Sequence, residues 1–368
     1  MKLNEGFLNS MHEAMTLLRT RGVAEATEAI QRALRVESVG AVNETASRDK
    51  TPEPVVFPFA KTKEATAHKA REDCLDVEER GHFITLAYAN AAGRRQYRLY
   101  VPAGGAGEPL PLIVMLHGCT QDADDFAAGT QMNALAERYR CLVAYPVQPQ
   151  QANPSKCWNW FKPDDQHRER GEPSLIAGIT REIISAHNVD PARVYVAGMS
   201  AGGAMAAIMI AEYPELYAAV GVHSGLPARC AHNLPSALAA MKGGKHPRNA
   251  RRVQGDTDLS PRRPMIVFHG DADATVHVAN ATRLVQRFDA RPDAGSERRR
   301  VDAGRRACTV SRLVSGDGID AELWTIHGAG HAWAGGNARG SYTDATGPDA
   351  SAEMLRFFLD HRRCPEDS

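Results

Sequence analysis

The first periodic stretch of the chain has helical spacing. Phe7, Leu8, Met11, Met15 and Leu18 recur three to four residues apart, residues 19–22 interrupt the run, and Val23, Ala26, Ile30, Ala33 and Leu34 resume it. The spacing predicts two amphipathic helices, an N-terminal helical hairpin over residues 1–35. Such a hairpin packs on its own chain, dimerises or docks on a partner. Residues 36–76 are polar, carry Pro52, Pro54 and Pro58, and read as a flexible linker.

From residue 77 onward the pattern changes. Residues 82–88 and 95–101 alternate around the turn residues 90–93, as the arms of a β-hairpin do. Short apolar runs then follow at 112–116, 142–145, 194–197, 218–222, 265–268 and 323–326, separated by helical or loop stretches. Runs that are apolar on both faces and alternate with helices predict a mostly parallel central sheet with helices on both faces. Two antiparallel strands feeding such a sheet match the α/β-hydrolase fold, an α/β class assigned here to residues 77–368. A last helix is expected near 351–362.

Composition narrows the functional classes. The chain has 368 residues, a 43% hydrophobic fraction and zero net charge, so no overall field attracts nucleic acid or an anionic membrane. Basic clusters at 248–252 and 298–306 lack interleaved aromatics and read as solvated loops. No segment has the roughly 18 apolar residues of a membrane span, and the first ten residues hold no apolar core of signal-peptide length. Seven cysteines, irregularly spaced and without a CxxC pair, suggest neither a zinc site nor a disulfide framework. The expectation is a cytoplasmic protein with free thiols.

The candidate chemistry lies at the carboxyl ends of the expected strands. Residues 194–197 run into Gly198, Met199, Ser200, Ala201 and Gly202, and a small-residue helix follows at once. Set between strand and helix, this G-x-S-x-G is a nucleophile elbow, with glycines where a β-carbon would collide across the turn. A serine hydroxyl needs a base and a group that orients the base. In this fold the chain order is serine, acid, histidine. The strand at 265–268 leads to Asp271 and Asp273; Asp273 is assigned as the acid, with Asp271 as the alternative in the same turn. The strand at 323–326 leads through His327 and a Gly-Ala-Gly stretch to His331, assigned as general base. His327 reads as packed or hydrogen-bonded, and His223 and His277 as structural residues near the pocket. Oxyanion donors are expected from the backbone N–H of Ala201 and from the loop after 112–116, with Cys119 chosen as its donor. Cys119 and Cys157 both lie near this site and can pair under oxidising conditions. No histidine pair has metal-ligand spacing on one helix face, so neither a metal nor another cofactor is expected.

Six motifs in order, HGCTQ (117–121), CWNWF (157–161), GMSAGGAM (198–205), HSG (223–225), HGDAD (269–273) and GAGHAW (328–333), resemble the poly(3-hydroxybutyrate) depolymerase family of esterases. The resemblance spans about residues 80–360. It implies a serine esterase with the triad Ser200, Asp273 and His331, acting on polyhydroxyalkanoate or its short oligomers. The family's relatives include feruloyl and acetylxylan esterases, which supply the alternative specificity. The N-terminal helices resemble those of a subgroup without a secretion signal. The secreted depolymerases carry a signal peptide and a polymer-binding domain; this sequence shows neither, so soluble oligomers or small esters are the expected substrates, with an extracellular location implied only by the resemblance. Trp158, Trp160 and Phe161, between Pro154 and Pro163, are expected with Trp333 to form an apolar acyl-binding wall. A non-catalytic granule- or partner-binding role for the hairpin is the other class of reading, and the full Ser, Asp and His set argues against it.

Overall fold

The computed structural model describes residues 80–104, 107–243, 263–288, 297–303 and 306–363. The expected helical hairpin (1–35), the linker (36–76) and the basic cluster at 248–252 lie outside the described residues. The elements run β1 (His82–Asn90), β2 (Gly93–Val101), β3 (Leu110–Leu116), α1 (Ala123–Thr130), α2 (Met132–Tyr139), β4 (Leu142–Pro146), α3 (Gly171–Ala186) and β5 (Val189–Met199). They continue with α4 (Ala201–Glu212), β6 (Ala219–His223), α5 (Leu234–Met241), β7 (Met265–Gly270), α6 (Ala279–Val285), β8 (Glu297–Ala303), β9 (Arg306–Val314) and β10 (Asp320–Ile326). The short strands β11 (Trp333–Ala334) and β12 (Thr343–Asp344) and helix α7 (Ala350–Asp360) end the order.

Ten strands form one sheet in the order β1-β2-β4-β3-β5-β6-β7-β10-β9-β8. The six central strands from β4 to β10 are parallel, and antiparallel strands flank them on both sides. All six sequence-read apolar runs are central strands. The alternation of side chains along a strand divides the core in two. Leu112, Val114 and Leu116 of β3 face one side with Ile176 and Ile179 of α3 and Met205 and Met209 of α4. Ile113 and Met115 face the other, with Phe126 of α1, Met132 of α2 and Phe357 and Phe358 of α7. Helix α4 is buried from Ala201 to Ile210, as its all-apolar sequence requires.

The pair β8–β9 is the correction to the sequence reading, which took 298–306 for a solvated loop. Residues 297–303 and 306–314 are instead the outer antiparallel strands of the sheet, with Arg299 opposite Val310. The outermost strand reads ERRRVDA, and charge along an edge strand hides the apolar signal while it discourages pairing with another chain. No described helix is long and apolar enough to cross a membrane.

Candidate active site

Ser200 sits between β5 and α4 with φ 56° and ψ −118°, a left-handed region that non-glycine residues rarely adopt. Its N–H donates to the His223 carbonyl at 2.9 Å, which ties the turn to β6. A β-carbon on Gly198 would strike the Gly202 backbone, and one on Gly202 would strike the carbonyls of Leu116 and His117. The two glycines therefore let the elbow close against the end of β3. Ala201 opens α4, so its N–H is among the unpaired donors at the positive end of the helix.

The loop after β3 lies alongside. A β-carbon on Gly118 would stand 3.7 Å from Cβ of Ser200. The Gly118 N–H donates to Gln121 Oε1 at 2.9 Å, and the Thr120 N–H donates to the Ser155 carbonyl at 2.7 Å. The Cys119 amide lies between these two paired N–H groups. Cys119 is joined to Cys157 by a disulfide, so the expectation of free thiols gives way there, while Cys141, Cys230 and Cys308 are buried outside any disulfide. His117 donates from Nδ1 to the Gly118 carbonyl at 2.7 Å and accepts at Nε2 from the Gln148 N–H at 3.1 Å. One donor and one acceptor fit only the neutral ring, and burial lowers its pKa to about 4.

Asp273 follows β7 and His331 follows β10, and they meet with His331 Nδ1 2.7 Å from Asp273 Oδ2. The other carboxylate oxygen accepts the N–H groups of Thr275 at 2.9 Å and Val276 at 2.8 Å. Burial would raise the Asp273 carboxyl, but the imidazoles of His269 and His331 and the Val276 amide outweigh it and hold it far below the ordinary range. A permanent carboxylate fixes the proton of neutral His331 on Nδ1 and leaves Nε2 as the basic nitrogen. His269 is fully buried, and its Nε2 proton goes to the Val276 carbonyl at 2.7 Å while lying 3.5 Å from Asp273.

Asp271, the alternative acid, is engaged elsewhere. It bonds His327 Nδ1 at 2.9 Å and the Gly328 N–H at 2.7 Å, and His327 Nε2 meets Thr309 Oγ1 at 2.9 Å. His223 is buried between Phe268 and Trp333, with Nε2 accepting the Ala334 N–H at 3.0 Å. It pins the segment just after His331, in keeping with the structural reading of His223, through a partner 111 residues away that no local signal marks. His277 accepts the Ala279 N–H at 3.2 Å and is a turn residue.

The tryptophans do not form the expected wall. Trp158 and Trp333 have 0% and 1% of their surface exposed, and Trp160 retains only 6%. Trp158 packs beside His117, and Trp333 packs on Phe126 and donates from its indole to Ser351 Oγ at 3.0 Å. Large rings found the core first; Phe161 alone of that cluster is half-buried. The loop carrying them is anchored by Glu172, which accepts from Gln148 Nε2, from the Asn159 N–H at 2.7 Å and from Asn159 Nδ2 at 2.6 Å. Burial, and then the neighbouring Asp165 carboxylate, pushes Glu172 up to about 7.

These groups make stability depend on pH. Burial lowers His117 to about 4 and His223 to about 3, against an ordinary 6.5. Their contribution is complete above the ordinary value and is lost as pH falls toward the folded values. Glu172 runs the other way, contributing below its ordinary 4.5 and losing that as pH rises through about 7. Two histidines outweigh one glutamate, so Tm should fall on acidification from about pH 7 to about pH 4.5. His223→Gln keeps an acceptor for Ala334 and should lose less Tm over that interval; an equal loss would remove His223 from the account.

The family model for esterase PHB depolymerase matches residues 95–306. The chain is 33% identical over 252 residues to poly(3-hydroxyalkanoate) depolymerase C of Paucimonas lemoignei, covering 65% of this chain and 58% of that protein. It is 30% identical to probable acetylxylan esterase A of Aspergillus fumigatus, covering 54% of this chain and 55% of the relative. The match thus spans little more than half the length of these two relatives. Feruloyl esterase B of Neurospora crassa is 31% identical over 75% of this chain and 91% of its own. Among solved structures, acetyl xylan esterase from Aspergillus awamori superposes with a TM-score of 0.57 at 21% identity, over 76% of this chain and 99% of that one, a likeness of fold.

Proposed function

Because this chain belongs to the esterase PHB depolymerase family, we propose that it hydrolyses carboxylic esters through an acyl-enzyme on Ser200. His331 Nε2 takes the hydroxyl proton as Ser200 Oγ bonds the ester carbonyl carbon, and the amides of Ala201 and Cys119 hold the oxyanion. The intermediate collapses, the C–O bond to the alcohol breaks, and His331 returns the proton to the leaving oxygen. Water then attacks the acyl-serine, giving one proton to His331, and the collapsing intermediate releases the carboxylic acid as Ser200 regains that proton. The observation that carries this reading is the 2.7 Å contact between His331 and a buried, ionised Asp273, in a chain that holds Ser200 at a left-handed turn between β5 and α4.

A fluorophosphonate ester should form a single adduct on the folded protein, located at Ser200 by peptide mapping. A folded chain that takes no label at that residue would refute the nucleophile assignment.

Among substrates, hydroxyalkanoate esters and their soluble oligomers follow from the relative named as a poly(3-hydroxyalkanoate) depolymerase. The second specificity, a feruloyl ester, is favoured by the 91% coverage of feruloyl esterase B. Rates on a 3-hydroxybutyrate trimer, a feruloyl ester and an acetylated sugar separate these readings. The Cys119–Cys157 disulfide favours an oxidising compartment over the cytoplasm expected from composition.

A further inference from the structure

Tyr342 has 45% of its surface exposed and a backbone φ of 53°, the left-handed region usually left to glycine or asparagine. Its main chain is fixed to the histidine side of the site, since its carbonyl accepts the N–H of Trp333, two residues beyond His331, at 2.7 Å. Its phenol reaches the opposite side, 3.0 Å from Oγ1 of Thr120. Thr120 gives its one hydroxyl proton to the Cys119 carbonyl at 2.6 Å, so Tyr342 is the donor of the pair. Thr120 is itself left-handed, with φ 65°, which is rarer still for a β-branched residue.

Both strained residues are held from behind. Asp125 accepts the Ser341 N–H at 2.8 Å and the Ser341 hydroxyl at 2.6 Å. Gln121, which orients Gly118, donates to Asp125 at 2.8 Å and to the Ser341 carbonyl at 3.1 Å. The tyrosine ring thus spans from the segment after His331 to the loop whose Gly118 faces Ser200, with a large part of its surface in solvent. A fold that stabilises an exposed aromatic in a left-handed conformation stores strain where function uses it. The indoles expected to form an apolar wall are buried, which leaves this ring at the rim.

We infer that Tyr342 is a specificity-determining residue, whose ring packs against the apolar part of the ester beyond the reacting carbonyl. The next unit of a hydroxyalkanoate oligomer is the class of group it fits, with methyl and methylene carbons against the ring and the phenol kept in place by Thr120. The inference rests on the serine-esterase reading above.

The test compares the wild-type chain with Tyr342→Ala and Tyr342→Phe on p-nitrophenyl acetate and on a 3-hydroxybutyrate trimer. Loss of the ring should lower kcat/KM on the trimer about tenfold more than on the acetate, the scale expected from about 50 Å² of apolar contact. The phenylalanine variant keeps the ring and should keep the wild-type preference. Equal losses on both substrates for Tyr342→Ala would overturn the inference. So would a phenylalanine variant that behaves like the alanine one, because the role would then belong to the Thr120 hydrogen bond and loop position. Fluorophosphonate labelling of Ser200 in all three proteins separates the two failures. No label in the wild type defeats the esterase reading itself, whereas normal labelling with unchanged preference defeats only the role of Tyr342.

Discussion

Ser200→Ala should lower kcat on a short p-nitrophenyl ester by about 10⁴- to 10⁶-fold, the range seen when a serine hydrolase loses its nucleophile. The substitution removes one oxygen. It leaves the 2.9 Å bond from the backbone N–H of residue 200 to the His223 carbonyl and the packing of Gly198 on Gly202. Alanine meets the same left-handed backbone as serine, so the elbow should persist and circular dichroism should match the wild type. On the proposed mechanism, the electrostatic help of the amides at Ala201 and Cys119 would remain and still favour a tetrahedral oxyanion formed by water. Activity within tenfold of wild type in a folded variant would remove the serine mechanism altogether.

Asp273→Asn should be the next most damaging change, about 10⁴-fold in kcat at neutral pH. The cause can be traced atom by atom. One carboxylate oxygen accepts the N–H groups of Thr275 and Val276, so the asparagine must place its carbonyl there. Its NH₂ then occupies the site of Oδ2, facing His331 Nδ1, and two donors would meet if His331 kept its present tautomer. The ring responds by moving its proton to Nε2, the nitrogen that must be free to take the serine proton. Asp271→Asn, two residues away, alters only the exposed contact with His327 and should retain most of the activity. Steady-state rates on the two variants decide between the two aspartates. Equal losses would show that the turn as a whole, rather than Asp273, matters.

The fold was legible where burial on both faces forces uninterrupted apolar runs. Each such run, from 112–116 to 323–326, lies in a parallel strand of the sheet centre. The outer strands were not legible, because a solvent-facing edge has no need of apolar residues and β8 carries three consecutive arginines. The candidate site divides in the same way. Ser200, Asp273 and His331 were readable since each follows a strand end in a fixed chain order, and a local motif marks each one. Their support was not, because it is made by residues far apart in sequence. Gln121 meets Ser341 and His223 meets Ala334, pairings that no local window of the sequence contains. The tryptophans misled for a different reason. An aromatic cluster between prolines states that large rings are present, but whether they point at substrate or into the core depends on contacts with distant parts of the chain. Trp333 found Ser351, and Trp158 found a place beside His117.

The loops after β7 and β10 meet in two Asp–His contacts, Asp273 with His331 at 2.7 Å and Asp271 with His327 at 2.9 Å. The second contact continues from His327 Nε2 to the Thr309 hydroxyl at 2.9 Å, so it completes an acid, imidazole and hydroxyl chain. Distances alone would therefore rank a decoy beside the candidate. Two properties tell them apart: the side chain of Asp273 is sealed from solvent while that of Asp271 is 38% exposed, and Thr309 lies within β9 rather than on a strained turn ahead of a helix. Within a solvent-exposed strand pair the Thr309 hydroxyl keeps the reactivity of an ordinary alcohol. A geometric template for serine hydrolases would gain its discrimination from the dryness of the acid and the backbone of the hydroxyl residue.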